Sequence, residues 1–160
     1  MTRPFTIRKA RPDDVFDVHR VHTTAIRGGA GDHYPPEVVE VWVEAFNPDN
    51  FFKNIERMEF YVIELPDRRV AAFLAFDLAT TEVDSVYVAP WGKGLGLGSF
   101  LMGFVDETAR QAGLDSLWLD SSINAVGFYE KHDWKEVERH ARVRNGVEIP
   151  VVKMEKTLGP

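Results

Sequence analysis

The sequence predicts a single α/β (α+β) domain over residues 1–160, in which a mixed central β-sheet of about seven strands is flanked by about four helices. Segments that alternate like strands are interspersed with segments of helical periodicity. A chain of 160 residues can bury one hydrophobic core, and no linker, internal repeat or low-complexity stretch divides it. Near its end, Asn145-Gly146 separates two strand-like segments and is a strong hairpin signal.

The first half of the chain is predicted to place two helices between its strands. Pro12 is followed by two aspartates, which is typical of a helix start because acids interact favourably with the positive end of the helix dipole. Val15, Val18 and His22 then recur at helical spacing. The predicted segments are a strand at 5–9, a helix from 12 to the glycines at 28–31, an irregular loop at 33–36, a helix at 37–45, a short helical piece near 51–55, and strands at 60–64 and 70–76.

The second half is predicted to continue the sheet around two further helices. Val83 and Val86 are three residues apart in one strand, and a β-bulge between them would put both on the core side. Apolar residues then mark one face of an amphipathic helix that Gly113 ends. The predicted segments are strands at 83–88 and 116–119, a helix over 100–109, a helix at 124–132, and strands at 134–143 and 147–154.

Composition and charge exclude several classes of function. The net charge of −6 argues against general binding to nucleic acid or to anionic membranes, which needs clustered Lys and Arg. The longest apolar run, at 70–76, is too short to cross a bilayer, and the first residues lack the apolar stretch of a secretory signal, so we expect a cytoplasmic protein. The chain has no cysteine, which excludes a disulfide framework, a thiolate zinc site and a cysteine nucleophile.

The most informative segment is the glycine-rich turn from Lys93 to Ser99, between a strand and a helix. Glycines let the backbone approach a ligand, and the free N–H groups of a first helical turn favour an anion. The spacing fits neither the dinucleotide fingerprint nor the nucleotide P-loop, because no glycine stands at the required fifth position and no Lys-Ser or Lys-Thr pair follows the last glycine. A turn that merely lets the helix pack on the strand is the alternative reading.

This turn resembles the coenzyme A pyrophosphate loop of the GNAT superfamily of N-acetyltransferases. The family pattern has Arg or Gln, two residues, Gly, one residue, then Gly or Ala, and Lys93 stands where Arg or Gln is usual. A second family signature is similar to the segment 120–134, which contains Phe128-Tyr129-Glu130-Lys131; here Ser122 stands where Asn is usual, and Asp133-Trp134 replaces Gly-Phe. The segment 7–10 also resembles the N-terminal pattern of the family, so the resemblance covers nearly the whole chain. It implies acetyl-coenzyme A as cosubstrate and an amine acceptor that attacks the thioester directly within a ternary complex.

The resemblance also implies roles for individual residues. Tyr129 would protonate the departing thiolate, for which a phenol is a suitable acid, although an aromatic residue packed on the sheet is the alternative. Amine acetylation needs a proton acceptor, either a carboxylate or an ordered water. Glu82 is the first candidate carboxylate and Asp84 the second, with acids on a solvated face of the strand as the alternative. The bulge would splay two strands to admit the pantetheine arm, with the Val86 N–H as oxyanion donor. The predicted cofactor-binding residues are Val86, Tyr87, Val88, Lys93, Gly94, Leu95, Gly96, Leu97, Gly98, Ser99, Ser122, Asn124 and Phe128.

The acceptor side is predicted less specifically. The resemblance puts His22, His33, Tyr34 and Trp42 in the acceptor pocket, although Trp42 by itself is more often a core residue. His19 and His22 are three apart on a helix, but no nearby carboxylate completes a ligand set, so no metal is expected. A small-molecule or peptide amine is the expected partner, and a homodimer is common in the family. A silent acetyl-coenzyme A sensor and a domain that recruits another chain at a sheet edge are the alternative functions.

Overall fold

This computed structural model describes residues 3–159 of the chain. It contains five helices and seven strands, joined by short loops and three 3-10 turns. The strands are β1 (Thr6–Lys9), β2 (Glu59–Glu64), β3 (Val70–Phe76), β4 (Val83–Val88), β5 (Ser116–Ser122), β6 (Lys135–Arg144) and β7 (Val147–Thr157). The helices are α1 (Val15–Gly29), α2 (Pro36–Glu44), α3 (Pro48–Arg57), α4 (Leu97–Gln111) and α5 (Val126–Glu130).

The α/β fold class and the seven strands of the prediction are confirmed, with the difference that the strands form two sheets. Strands β1-β2-β3-β4 form one antiparallel sheet, and β5-β7-β6 form the other. Within residues 3–159 a single parallel bridge, Glu82 with Trp118, connects the two sheets. The Trp118 N–H donates to the Thr81 carbonyl at 3.2 Å at the same place. Beyond this bridge β4 and β5 are not paired, so a cleft lies between them.

The predicted bulge in β4 is also present. Ala75 pairs with Ser85, whereas the next residue, Phe76, pairs with Val83, which leaves Asp84 as the extra residue. A bulge increases the local twist of a strand and changes the direction of its side chains. Here it lies directly after the bridge between the sheets, at the point where β4 begins to separate from β5.

Strand β3 is the centre of the core because it is buried on both faces. Ala72, Leu74 and Phe76 pack in one cluster with the apolar face of α4, and Phe73 and Ala75 pack in another with α1 and α3. The four-stranded sheet is therefore sandwiched between helices. Burying each large apolar side chain of this kind contributes about 1.5–3 kcal/mol, which fixes both α1 and α4 against the sheet.

Helix α2 covers the other sheet. Val38 and Val39 pack against Ile149 and Val151 of β7 in a third buried cluster. The predicted short helical piece is the whole of α3, and Asn47 caps its first turn by accepting a hydrogen bond from the Asn50 N–H at 3.0 Å. Within residues 3–159 no helix combines the length and apolar character needed to cross a membrane.

Candidate active site

The cleft between β4 and β5 is the best-formed site near the glycine-rich turn. Residues of both unpaired strand segments line it, and Tyr129 of α5 closes one wall. Because β4 and β5 belong to different sheets, their facing backbone groups are not used in a ladder between them. The lining comprises Ala25, Ile26, Ala30 and Trp42, the β4 residues Val83–Val88, the β5 residues Leu119–Ser122, and Asn124, Ala125 and Tyr129.

The glycine-rich turn adopts the conformation that an anion cradle needs. Gly94 and Gly96 have φ of 81° and 71°, and Gly96 is the residue that precedes the first turn of α4. Among the described residues, no backbone carbonyl accepts a hydrogen bond from the N–H groups between Gly94 and Ser99. Lys93, Leu95 and Ser99 are exposed beside them. Six consecutive amides at a helix N-terminus are thus available to bind an anionic group.

Leu97 and Phe128, two further predicted cofactor residues, pack against the protein side of this turn. The side chain of Leu97 is buried in the core, so only its backbone is available to a ligand. Gly98 packs against the ring of Phe128, since a Cβ at Gly98 would stand 3.1 Å from the nearest ring atom. Ser99 Oγ lies 3.1 Å from His132 Nε2, which brings the turn after α5 and the start of α4 together.

Tyr129 lies on the cleft with its ring in the core. Its side chain packs against Phe128 and Trp134, with ring centroids 5.3 Å and 6.0 Å away. Its hydroxyl makes no hydrogen bond with another described residue. Burial raises the pKa of Tyr129 above the ordinary value of 10.0, so the phenol keeps its proton at neutral pH. A protonated phenol that faces the cleft is able to donate to a leaving group there.

A second cavity adjoins the cleft on the side of β6 and β7. The two share Trp42, Asp84, Ser85, Tyr87 and Asp120. We call this second space the acceptor cavity. Five of its lining residues are aromatic or aliphatic and five are charged, and the remaining one is Ser85. The full lining is Trp42, Phe46, Glu82, Asp84, Ser85, Tyr87, Asp120, Arg142, Arg144, Ile149 and Val151.

A chain of charged groups crosses the acceptor cavity. Arg142 Nε donates to Asp120 Oδ2 at 2.7 Å, and Arg142 Nη2 donates to Glu82 Oε2 at 2.9 Å. His140 Nε2 lies 2.7 Å from the other oxygen of Asp120. Burial raises the pKa of Asp120, but the hydrogen bonds with His140 and Arg142 outweigh burial, so its pKa lies below the ordinary value. For Glu82 burial outweighs the attraction of Arg142, and its pKa is raised.

Asp84 occupies the junction of the two cavities. It is the extra residue of the β4 bulge, and it lines both the cleft and the acceptor cavity. The hydroxyl of Ser85 donates to Asp84 Oδ2 at 2.8 Å. Glu82 lines only the acceptor cavity. A group that must contact both an acyl donor in the cleft and an acceptor in the cavity is therefore better placed at Asp84.

The four residues predicted for the acceptor pocket lie in different places. Trp42 lines both cavities. His22 is buried among Phe46, Phe51 and Tyr87, where burial lowers its pKa to about 3, and it lines neither cavity. His33 is exposed on the loop before α2.

Tyr34 is buried, and its hydroxyl acts as a bridge between elements. It donates to the Pro150 carbonyl at 2.6 Å and accepts from the Ile123 N–H at 3.0 Å. The hydroxyl thus holds the loop before α2 against β7 and against the turn that follows β5. Through these bonds Tyr34 stabilises the end of the cleft at Ser122 and Asn124 without lining it.

Sequence reasoning missed the charged residues that β5 and β6 bring to the site. Asp120, His140, Arg142 and Arg144 belong to strands whose sequences alternate like any half-exposed strand. For Asp120 the one available signal was its position as the first residue of the segment 120–134, which resembles the second family signature. The others reach the site only because β7 pairs with β5 and β6 pairs with β7, which brings Arg142 to Glu82 and His140 to Asp120. Within the part of the chain that the structure describes, no group of three or more His, Asp or Glu side chains is arranged to hold a metal ion.

Comparisons with known proteins agree with this fold. A family model described as an acetyltransferase (GNAT) domain matches residues 30–158. A GCN5-related N-acetyltransferase from Rhodopseudomonas palustris is similar in structure, with a TM-score of 0.90, 23% identity, and coverage of 99% of this chain and 98% of that one. The PaiA N-acetyltransferase from Thermoplasma acidophilum, solved with coenzyme A, has a TM-score of 0.79 and 20% identity over 98% and 99% of the two chains. YncA from Salmonella typhimurium, solved with acetyl-CoA, has a TM-score of 0.67 and 22% identity over 98% and 95%. No curated protein is similar enough in sequence to count as a match.

Proposed function

The chain belongs to the GNAT acetyltransferase family, and from this premise we propose that it transfers the acetyl group of acetyl-coenzyme A to an amine by direct attack in a ternary complex. The observation that carries the proposal is the run of unpartnered N–H groups from Gly94 to Ser99, which opens beside the cleft between β4 and β5. Two of the similar proteins were solved with coenzyme A or acetyl-CoA, which supports the choice of cosubstrate.

In the proposed complex, the diphosphate of coenzyme A binds the amides of the glycine-rich turn, because a helix N-terminus and left-handed glycines favour an anion. Lys93 adds a positive charge at the same turn. The pantetheine arm lies in the cleft along Val86, Tyr87 and Val88, with Ser122 and Asn124 on the facing wall. Phe128 supports the turn through its contact with Gly98.

The proposed reaction consists of one acyl transfer and two proton transfers. The amine nitrogen forms a bond with the thioester carbonyl carbon, and the Val86 N–H stabilises the oxygen of the tetrahedral intermediate. The amine loses a proton to a carboxylate. Asp84 lies between the two cavities, and this position favours Asp84 over Glu82 as the proton acceptor. The carbon–sulfur bond then breaks, and Tyr129 donates its phenolic proton to the coenzyme A thiolate. The raised pKa of Tyr129 keeps that proton available.

The experiment that tests the proposal has two parts. Calorimetry with the folded protein measures binding of acetyl-coenzyme A and of coenzyme A, and a thiol-release assay with a panel of amines measures transfer. Binding together with amine-dependent thiol release supports an acetyltransferase. Binding without any release would point to a sensor, and no binding at millimolar ligand would remove the proposal in favour of a partner-binding domain. The cytoplasmic location, the single domain over 1–160 and a homodimer remain predictions from the sequence.

A further inference from the structure

The charges of the acceptor cavity do not all neutralise one another. The charge of Arg142 is compensated, because its Nε donates to Asp120 and its Nη2 donates to Glu82. Two charged side chains are left outside this network, Arg144 and Asp84. The half-buried Arg144 forms no salt bridge with any carboxylate among residues 3–159, and Nη1 donates only to the Val143 carbonyl at 3.0 Å.

The unmatched anion is Asp84. It forms no salt bridge with a described cation, and its recorded side-chain partner is the hydroxyl of Ser85. Asp84 and Arg144 line the same cavity. A half-buried charge without a counterion loses solvation and gains no Coulomb energy in return, so a ligand of opposite charge would stabilise each of the two.

We propose that the acceptor is an amino acid with an apolar side chain, whose amine approaches Asp84 and whose carboxylate pairs with Arg144. This inference rests on the proposed acetyltransferase function and names its substrate class. A guanidinium is suited to the carboxylate because its fork of N–H donors matches the two carboxylate oxygens. The amine end lies nearest the cleft because Asp84 is shared by both cavities.

The uncharged walls of the cavity specify the rest of the acceptor. Trp42, Phe46 and Tyr87 contribute aromatic surface, and Ile149 and Val151 contribute aliphatic surface. Such walls stabilise an apolar side chain through burial and offer a second charged group no partner. A polyamine is disfavoured for a further reason, since its second ammonium group would meet Arg144. A simple amine would leave Arg144 unpaired.

The test compares pairs of acceptors that differ only in the carboxylate. Phenylalanine is compared with phenylethylamine, and leucine with isopentylamine, in the thiol-release assay with saturating acetyl-coenzyme A. We expect kcat/KM for the amino acid of at least one pair to exceed that of its amine by about tenfold or more, the value of a hydrogen-bonded ion pair. Hydrocinnamate, which has the ring and carboxylate without the amine, is expected to inhibit competitively.

The substitution Arg144→Gln tests whether Arg144 causes the preference for an acceptor with a carboxylate. We expect KM for the preferred amino acid to rise by about tenfold and the inhibition constant of hydrocinnamate to rise with it. The ratio of kcat/KM between amino acid and amine should fall towards one. Arg139→Gln is the matched control, because Arg139 lies on the same strand, is exposed and pairs with Glu136. It should leave the ratio unchanged.

The outcomes separate this inference from the proposed function. If the amines lacking a carboxylate are acetylated as well as the amino acids, or if Arg144→Gln weakens both members of a pair equally, the amino-acid assignment is wrong while the acetyltransferase remains. If acetyl-coenzyme A binds but neither member of either pair is acetylated, the amino-acid assignment is also wrong, and the wider amine panel then decides the function.

Discussion

The guanidinium of Arg142 lies 2.9 Å from the carboxylate of Glu82, and this contact joins the two sheets beside their single described bridge. Arg142 belongs to β6, at the edge of one sheet, whereas Glu82 directly precedes β4 of the other. The same guanidinium holds Asp120 of β5 at 2.7 Å. One side chain therefore fixes the spacing of three segments around the acceptor cavity.

Arg142→Gln is expected to destabilise the protein by about 1–3 kcal/mol at pH 7, because Glu82 and Asp120 are left half-buried without their cation. Without the cation the pKa values of both carboxyl groups in the folded protein rise. Folding is therefore penalised at pH values above the unfolded-state pKa values. The loss of stability relative to wild type shrinks as the pH falls and both groups become protonated. Urea unfolding of the variant and wild type between pH 4 and 8, near the ordinary carboxyl pKa of ~4 and above it, measures this. Arg139→Gln, at an exposed pair, serves as control and should change little. A deficit that grew at low pH would contradict the ion-pair explanation.

Asp84→Asn should lower kcat/KM for amines by about 100-fold or more, because the amine loses its proposed proton acceptor. Raising the pH towards the pKa of the acceptor amine should restore part of the activity, since free amine then forms without a base. Glu82→Gln is the comparison, and we expect a loss below about tenfold with no such restoration. The reverse order of effects would transfer the role to Glu82.

Tyr129→Phe should lower kcat by about 100-fold, because it removes the phenolic proton that we propose is donated to the leaving thiolate. The dissociation constant of acetyl-coenzyme A should stay nearly unchanged, since the ring still fills its place beside Phe128 and Trp134. Tyr61→Phe removes another part-buried hydroxyl, which donates to Glu59 away from the site, and should leave kcat as it was. Unaltered turnover in Tyr129→Phe would assign this tyrosine to packing alone.

Gly96→Ala tests the backbone of the cradle. An L-residue at φ 71° is strained by about 1–2 kcal/mol, and relief of that strain would move the amides that we propose for the diphosphate. We expect lower stability and a higher dissociation constant for coenzyme A. Gly103→Ala in the same helix meets no atom within 4 Å and should stabilise the protein by about 0.5–1 kcal/mol, with binding intact. Equal affinity in both variants would exclude the turn as the diphosphate site.

Asp14→Ala tests an ion pair far from the chemistry. Arg8 donates to both Asp14 oxygens, at 2.8 and 2.9 Å, and the Arg11 N–H donates at 2.7 Å. Burial raises the pKa of Asp14, but these bonds outweigh it and the pKa is lowered. The stabilisation is complete above the ordinary value of 3.8 and is lost as the pH falls through the lower folded value.

We therefore expect Asp14→Ala to cost about 2–3 kcal/mol at pH 7 and to show a flatter acid-unfolding profile than wild type. The neighbouring Asp13, whose side chain is 83% exposed, provides the control variant Asp13→Ala. Thermal unfolding between neutral pH and pH ~2, below the carboxyl range, makes the comparison. Equal sensitivity to acid in wild type and Asp14→Ala would contradict the assignment.

Much of the fold was predictable because the deciding interactions are local. Hydrophobic period, a proline at a helix start and the Asn145-Gly146 turn each constrain a few neighbouring residues, and the strands and helices lie close to where these patterns put them. The glycine-rich turn was recognisable for the same reason, since left-handed φ at Gly94 and Gly96 and a helix N-terminus are properties of a short segment. Even the bulge at Asp84 was signalled by the spacing of two valines within one strand.

The amino-acid sequence by itself determined the elements of this protein, its glycine-rich turn and its family resemblance. The tertiary structure alone decided that the seven strands divide into two sheets, that Arg142 joins Glu82 to Asp120, and that Tyr34 is a bridge with both hydrogen-bonding sides of its hydroxyl used. These are contacts between residues 22 to 116 positions apart. No local pattern encodes them, because they depend on how packed elements meet rather than on the conformation of any one segment.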